Sequence, residues 1–242
     1  MTVVFVSAIY PIYGTSFPER TAGVWRRFAV LAKHFHIHLV CSAADADKIP
    51  TNVTPYFCEF HELDTYKLIT KTTGLPQIRS ETKDTKEFMV LMNAKTEFIK
   101  KISNKVEADH YVWLDAGLGH VFKDPDATYA AVKPLFDAPL TNKKIMIPGC
   151  TTDPEPRLDM LLTRVCWRFA GGFFIVPRRW IDLFYYSVLA ACEEIRYKSG
   201  RATWEVNVWA YIESRIPIQW EYGSHDETIF NGIRNFQETA LP

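Results

Sequence analysis

The chain has 242 residues, 48% of them apolar and 14% aromatic, enough to bury a large core within one domain spanning 1–242. Lys plus Arg equal Asp plus Glu at 28 each, so no general electrostatic case exists for nucleic acid or an anionic membrane, and an anionic ligand must be met locally. The five cysteines are widely spaced with no CxxC pair, which argues against a disulfide framework or a zinc module and for a reducing, cytoplasmic location.

In chain order, the opening run TVVFVSAIY reads as a buried strand, without the basic leader of a signal peptide and too short to span a membrane. Residues 19–34 read as a helix, and HIHLVCS and PYFCEF as the next strands. The polar, turn-rich region from Asp64 to Thr85 reads as a surface excursion. A helix over 86–104 follows, with Phe88, Leu91, Met92, Lys95, Phe98 and Ile102 at helical spacing. One apolar face is thus interrupted by a charge. Either Lys95 snorkels from the edge of that face or it points at a phosphate.

HYVWLDA is the next strand, apolar until Asp115 and followed at once by Gly117 and Gly119, which let the backbone turn or approach a ligand. Asp115 is expected at the carboxyl end of a central strand, where open α/β sheets bind ligands. KKIMIPG is a strand, GCTTDPEPR a loop, and GGFFIVP a strand whose Gly171 and Gly172 permit either a bulge or close ligand approach. Helices follow over 177–197 and 203–213. Thr203 is positioned to cap the second, placing Glu205 and Asn207 near its start beside Trp204 and Trp209. Glu205 either complements the helix dipole or serves chemistry. After the strand IPIQWEY come His225, Asp226 and Glu227, read as a helix start capped by Ser224 or Asp226, or as a metal ligand with acidic partners. Strands interleaved with helices predict a predominantly parallel α/β sheet, and the absence of GxGxxG after the first strand counts against a dinucleotide site.

The order VVFVSAIYPIYG, LMNAKTEFI, YVWLDAGL, AGGFF, TWEVNVWAYIE and WEYGSHDETIF resembles the HtrL/YibB-type glycosyltransferases and, more distantly, other GT-A sugar transferases. The resemblance implies a GT-A-like, Rossmann-like single domain that transfers a sugar from a nucleotide-diphosphate donor, UDP favoured over GDP, to a carbohydrate acceptor hydroxyl. It implies a divalent cation, Mn²⁺ or Mg²⁺, on Asp115 with His225. The usual Asp-x-Asp motif here reads Asp115-Ala116-Gly117, without the second carboxylate. By the same resemblance Lys95, Gly117, Gly171 and Gly172 line the donor, Trp204 and Asn207 bind substrate, and Glu205, with Asp226 as second choice, supplies the catalytic carboxylate. The alternatives are a catalytically silent sugar- or nucleotide-binding protein of the same fold and a hydrolase using Asp115 and Glu205 as paired carboxylates.

Overall fold

The structure, a computed structural model, describes residues 2–13, 18–141, 143–152, 157–224 and 226–234. Seven strands form one sheet: β1 Val3–Ile9, β2 Ile37–Cys41, β3 Thr54–Phe57, β4 His110–Leu114, β5 Ile145–Gly149, β6 Phe173–Pro177 and β7 Ile218–Tyr222. Their spatial order is β3-β2-β1-β4-β6-β5-β7. Six lie within a segment expected from its apolar, β-branched and aromatic content, and β3 overlaps PYFCEF but begins one residue earlier, at Thr54. The sheet is parallel except at β6, which runs antiparallel to both β4 and β5. The fold is α/β and Rossmann-like: a mixed, mostly parallel sheet flanked by helices.

Alternate residues of each central strand go to opposite faces. Val4, Val6, Tyr111, Trp113, Phe174 and Val176 join one core, shared with helices α2 Asp64–Ile69, α3 Lys86–Asn93, α4 Lys95–Ser103, α7 Ile181–Ser199 and α8 Glu205–Ile212. Val112, Leu114, Phe173 and Ile175 join the other, beneath α1 Pro18–His34 and α5 Pro125–Val132. A short α6, Leu158–Leu161, precedes β6. Among the described residues no helix is long and apolar enough to cross a membrane.

Two differences from the sequence reading shape the site. The helix expected over 86–104 is broken at Ala94 into α3 and α4. Asn93, buried at the break, donates to the Met89 carbonyl four residues back and to the Thr203 carbonyl, a side-chain competition with the backbone that interior helix positions rarely tolerate. Lys95 thereby becomes the first residue of a new helix. The 64–85 region is also no mere surface excursion. Its α2 is seated on α3 and α7 by buried Thr65 and Ile69, and buried Glu97 caps it, accepting from Asp64 N and Thr65 N at 3.0 and 3.1 Å.

Candidate active site

The site grows out of three chain segments that the topology brings to one edge of the sheet. Since α4 runs into β4 through a short connection, the helix start and the strand end lie together. β6, antiparallel to β4, begins where β4 ends, so Leu114 faces Phe173 and the Asp115 N–H donates to the Gly172 carbonyl at 2.9 Å. The third segment is the start of α8.

Lys95 is at the centre. It is 1% exposed, and its ammonium donates to Glu205 Oε1 at 2.9 Å, to the Gly171 carbonyl at 2.9 Å and to Asp115 Oδ2 at 3.2 Å, with Asp115 Oδ1 in ion-pair contact at 3.0 Å. An ammonium has three hydrogens, and all are used. Burial alone would lower the lysine pKa, but the Asp115 and Glu205 carboxylates outweigh it and hold it above the ordinary lysine value. A cation in the first turn of a helix opposes the helix dipole, so α4 gains nothing locally from Lys95. Both sequence readings are therefore corrected. Lys95 does not snorkel, because it is enclosed, and its ammonium is not offered to a phosphate, because two carboxylates and a carbonyl already fill it.

Asp115 and Glu205 differ in access. The Asp115 side chain is 28% exposed and the Glu205 side chain 7%. Asp115 Oδ1 accepts from the Trp113 indole at 2.6 Å and Oδ2 from the Lys95 ammonium at 3.2 Å, so both oxygens are fixed while the carboxylate keeps an exposed side. Glu205 is held through Oε1, and its Oε2 has no hydrogen-bond partner among the described residues. With one ammonium between two carboxylates the cluster carries net negative charge.

The glycines have separate reasons. Gly171 stands against the cluster, where a Cβ would overlap Glu205 Oε1 and come within 3.2 Å of Lys95 Nζ. A Cβ on Gly172 would lie 2.8 Å from Leu118 Cδ1. Both precede β6 rather than bulging it. Gly117, opening the turn after Asp115, faces nearly open space: a Cβ there would meet only Arg27 Nε, at 3.9 Å.

Other expected site residues are engaged elsewhere. Asn207 is buried with its amide fully used, donating to the Leu161 and Arg164 carbonyls and Thr203 Oγ1 and accepting from Cys166 N; it pins the 161–166 loop and has nothing left for a substrate. Trp204 and Trp209 are core residues, Trp209 packing on Phe169, Phe174 and Phe184, so they form no sugar platform. Trp204, not Thr203, occupies the cap position of α8, while the Thr203 hydroxyl donates to the Leu161 carbonyl. Asp226 caps the 227–230 turn, accepting from the Thr228 N–H at 2.9 Å and from the Thr228 hydroxyl. That turn reaches the site through Ile229, whose Cδ1 would be 3.6 Å from a Cβ on Gly172. His225 lies outside the described residues.

Among the described residues no three His, Cys, Asp or Glu side chains converge on a point where a metal could bind. Of the cluster's two carboxylates Asp115 is the more accessible, and Gly117 stands where the usual motif has its second acid. The described side chains thus fall short of a metal centre on their own.

Two residues at this edge were not singled out by the sequence. Arg27, on α1, lies over Gly117. Trp167, in the loop entering β6, has a φ of 53° and is 45% exposed, and its carbonyl accepts from Cys150 N just past β5. Left-handed backbone is unusual for so large a residue.

Comparison with solved structures finds distant likenesses. A 4-diphosphocytidyl-2C-methyl-D-erythritol synthase from Anaerococcus prevotii DSM 20548 is 9% identical, with 94% of this chain and 90% of that chain covered and a TM-score of 0.37. The bifunctional IspDF from Campylobacter jejuni is 9% identical over 93% of this chain and 50% of its own, with a TM-score of 0.38. A CMP:2-keto-3-deoxy-manno-octonic acid synthetase complexed with CTP is 11% identical over 100% of both chains, with a TM-score of 0.45. No curated protein matches the chain. A family model described as "Bacterial protein of unknown function (HtrL_YibB)" matches residues 60–192, which include Lys95, Asp115, Gly171 and Gly172 and stop short of Glu205. With more than half of its length matched, the chain belongs to the HtrL_YibB family.

Proposed function

We propose that the protein is a glycosyltransferase that takes a sugar from a nucleoside diphosphate donor, a UDP-sugar before a GDP-sugar, and passes it to a carbohydrate hydroxyl. The observation that carries this reading is the buried Lys95 ammonium tying Asp115 and Glu205 together at the carboxyl edge of the sheet. Such an arrangement is costly unless it positions something, since each buried charge loses hydration. It holds Glu205 by one oxygen and leaves the other to meet an acceptor hydroxyl or the positive charge that develops at the anomeric carbon. The reading places the donor diphosphate against Asp115 and the open Gly117 turn. No step depends on a metal; Mn²⁺ or Mg²⁺ enters only as a cation brought in with the diphosphate, to which Asp115 can add one oxygen.

For the acceptor, the strained and exposed Trp167 replaces the buried Trp204 as the ring on which a sugar would stack. Backbone strain of this kind costs on the order of 1–3 kcal/mol and gathers at working sites. The hydrolase alternative is weaker on geometry. It needs one carboxyl of the pair to give up a proton, whereas both accept hydrogen bonds from the same ammonium.

A thermal-shift screen of UDP, GDP and their sugars, with Mn²⁺ and with EDTA, tests the reading, because a ligand that binds only the folded chain raises its melting temperature. At least one nucleotide sugar should do so and should release its nucleoside diphosphate when an acceptor is present. Stabilisation without turnover on any acceptor would favour the silent binding protein. Indifference to every nucleotide would overturn the transferase.

A further inference from the structure

Arg27 is a half-buried cation that makes no hydrogen bond or ion pair with any described residue, and its Nε is fully buried without a partner. Its neighbours on α1 are engaged: Arg26 pairs with Glu19 at 3.6 Å, and Arg20 donates to the Thr82 carbonyl at 2.8 Å. Side chains on a helix lean toward its N-terminus, and the Arg27 guanidinium lies back over Gly23, where a Cβ would be 3.4 Å from it. It also lies over Gly117. Two glycines border the group, one on its own helix and one on the turn after Asp115.

An unsatisfied buried guanidinium N–H costs free energy, and a folded chain normally finds it a carboxylate or carbonyl. Here nothing described does so. The adjacent Lys95–Asp115–Glu205 cluster is net negative and has no cation to spare, so a diphosphate arriving there would be repelled unless positive charge came from elsewhere. A planar guanidinium matches a phosphate's oxygens with paired hydrogen bonds. We infer that Arg27 is the residue that receives the diphosphate of the ligand, with the Gly117 turn open to let the phosphates approach. This rests on the transferase reading for the identity of the ligand, although the anion site itself does not require it.

Calorimetric titration of the wild type, Arg27→Met and Arg27→Lys with UDP, inorganic pyrophosphate and uridine, each with and without Mg²⁺, tests the inference. UDP and pyrophosphate should bind the wild type, lose at least tenfold in affinity in Arg27→Met and recover part of it in Arg27→Lys, while any affinity for uridine stays unchanged. The ligand-free melting temperature of Arg27→Met should stay near that of the wild type, because no hydrogen bond or ion pair with a described residue is lost. Pyrophosphate binding that depends on Arg27 in a chain indifferent to all nucleotides would uphold the anion site and remove the transferase. Equal affinities in the wild type and Arg27→Met would overturn the inference while leaving the transferase standing, as would a less stable Arg27→Met with unchanged affinity. A wild type silent to both UDP and pyrophosphate would overturn it outright.

Discussion

Lys95 and Arg27 reach the same edge of the sheet from opposite faces, Lys95 from α4 and Arg27 from α1, and they are held in opposite ways. Lys95 is enclosed and spends every hydrogen on the protein, whereas Arg27 is half-buried with its guanidinium unclaimed by any described residue. The contrast separates two uses of positive charge. A satisfied buried cation organises the groups around it, and breaking it damages the fold; an unsatisfied one is available to a ligand, and losing it costs binding. The family resemblance had given the ligand to Lys95, where the residues alone left snorkelling as the alternative. The geometry moves that role to Arg27 and leaves Lys95 to position Asp115 and Glu205.

The largest effect should follow from Lys95→Met. Removing the ammonium leaves two carboxylates facing each other in a buried site, which should cost about 3–5 kcal/mol of stability in denaturant unfolding. Adding Glu205→Gln should restore part of it. The sign with pH is fixed by the raised lysine pKa: the stabilisation is fully present below the ordinary lysine value and is lost only as pH climbs through the higher folded value. The difference between wild type and Lys95→Met should therefore stay flat from about pH 6 to 9 and shrink only in strong alkali. A Lys95→Met protein as stable as the wild type would erase the contrast with Arg27.

Next is Glu205→Gln. If its free oxygen acts in the transition state, turnover should fall roughly a hundredfold or more with donor affinity retained. Steady-state kinetics beside calorimetry checks this, and near-normal turnover would reduce Glu205 to a counter-ion of Lys95. A smaller effect belongs to Trp167→Gly, which relieves the left-handed backbone. The acceptor kcat/KM should drop by about tenfold, the scale of one lost aromatic contact, without loss of melting temperature. A drop in stability alone would make Trp167 a packing residue.

The smallest effect sharpens the contrast from outside the site. Glu194, on the surface of α7, accepts from Lys198, Tyr211 and Arg215 and is held down at about 2 by these hydrogen bonds. Its contribution is present above the ordinary glutamate value and fades as pH falls from there toward 2. Solvent screening limits it to under about 1 kcal/mol, so Glu194→Gln should differ little from the wild type at neutral pH and not at all in strong acid. Urea unfolding at both pH values measures it.

The strands were legible because their apolar and aromatic runs are bounded by turn residues, and Asp115 because a charge closes such a run. Strand direction was not, since β6 carries the same composition as its parallel neighbours and only its pairing reveals the reversal. The break at Ala94 depends on Asn93 finding the Thr203 carbonyl 110 residues away, which no local pattern encodes. Asn207 and Trp204 looked available because they neighbour Glu205 in sequence, but a helix sends successive residues to different sides and both turned inward. Arg27 was invisible for a related reason. In WRRF two arginines stand side by side, and what distinguishes them is that Arg26 finds Glu19 while Arg27 finds no partner among the described residues.

The most direct measurement is a calorimetric titration of the wild type and Asp115→Ala with UDP and UDP-sugars, with and without Mn²⁺. Asp115 is the more accessible carboxylate of the cluster and the one that can reach a cation on the diphosphate, so its removal, which leaves Lys95 paired with Glu205, should abolish or strongly weaken the binding that at least one of these ligands shows to the wild type with Mn²⁺. Binding of the same strength to both proteins, or to neither, would contradict a nucleotide-sugar site at this edge of the sheet.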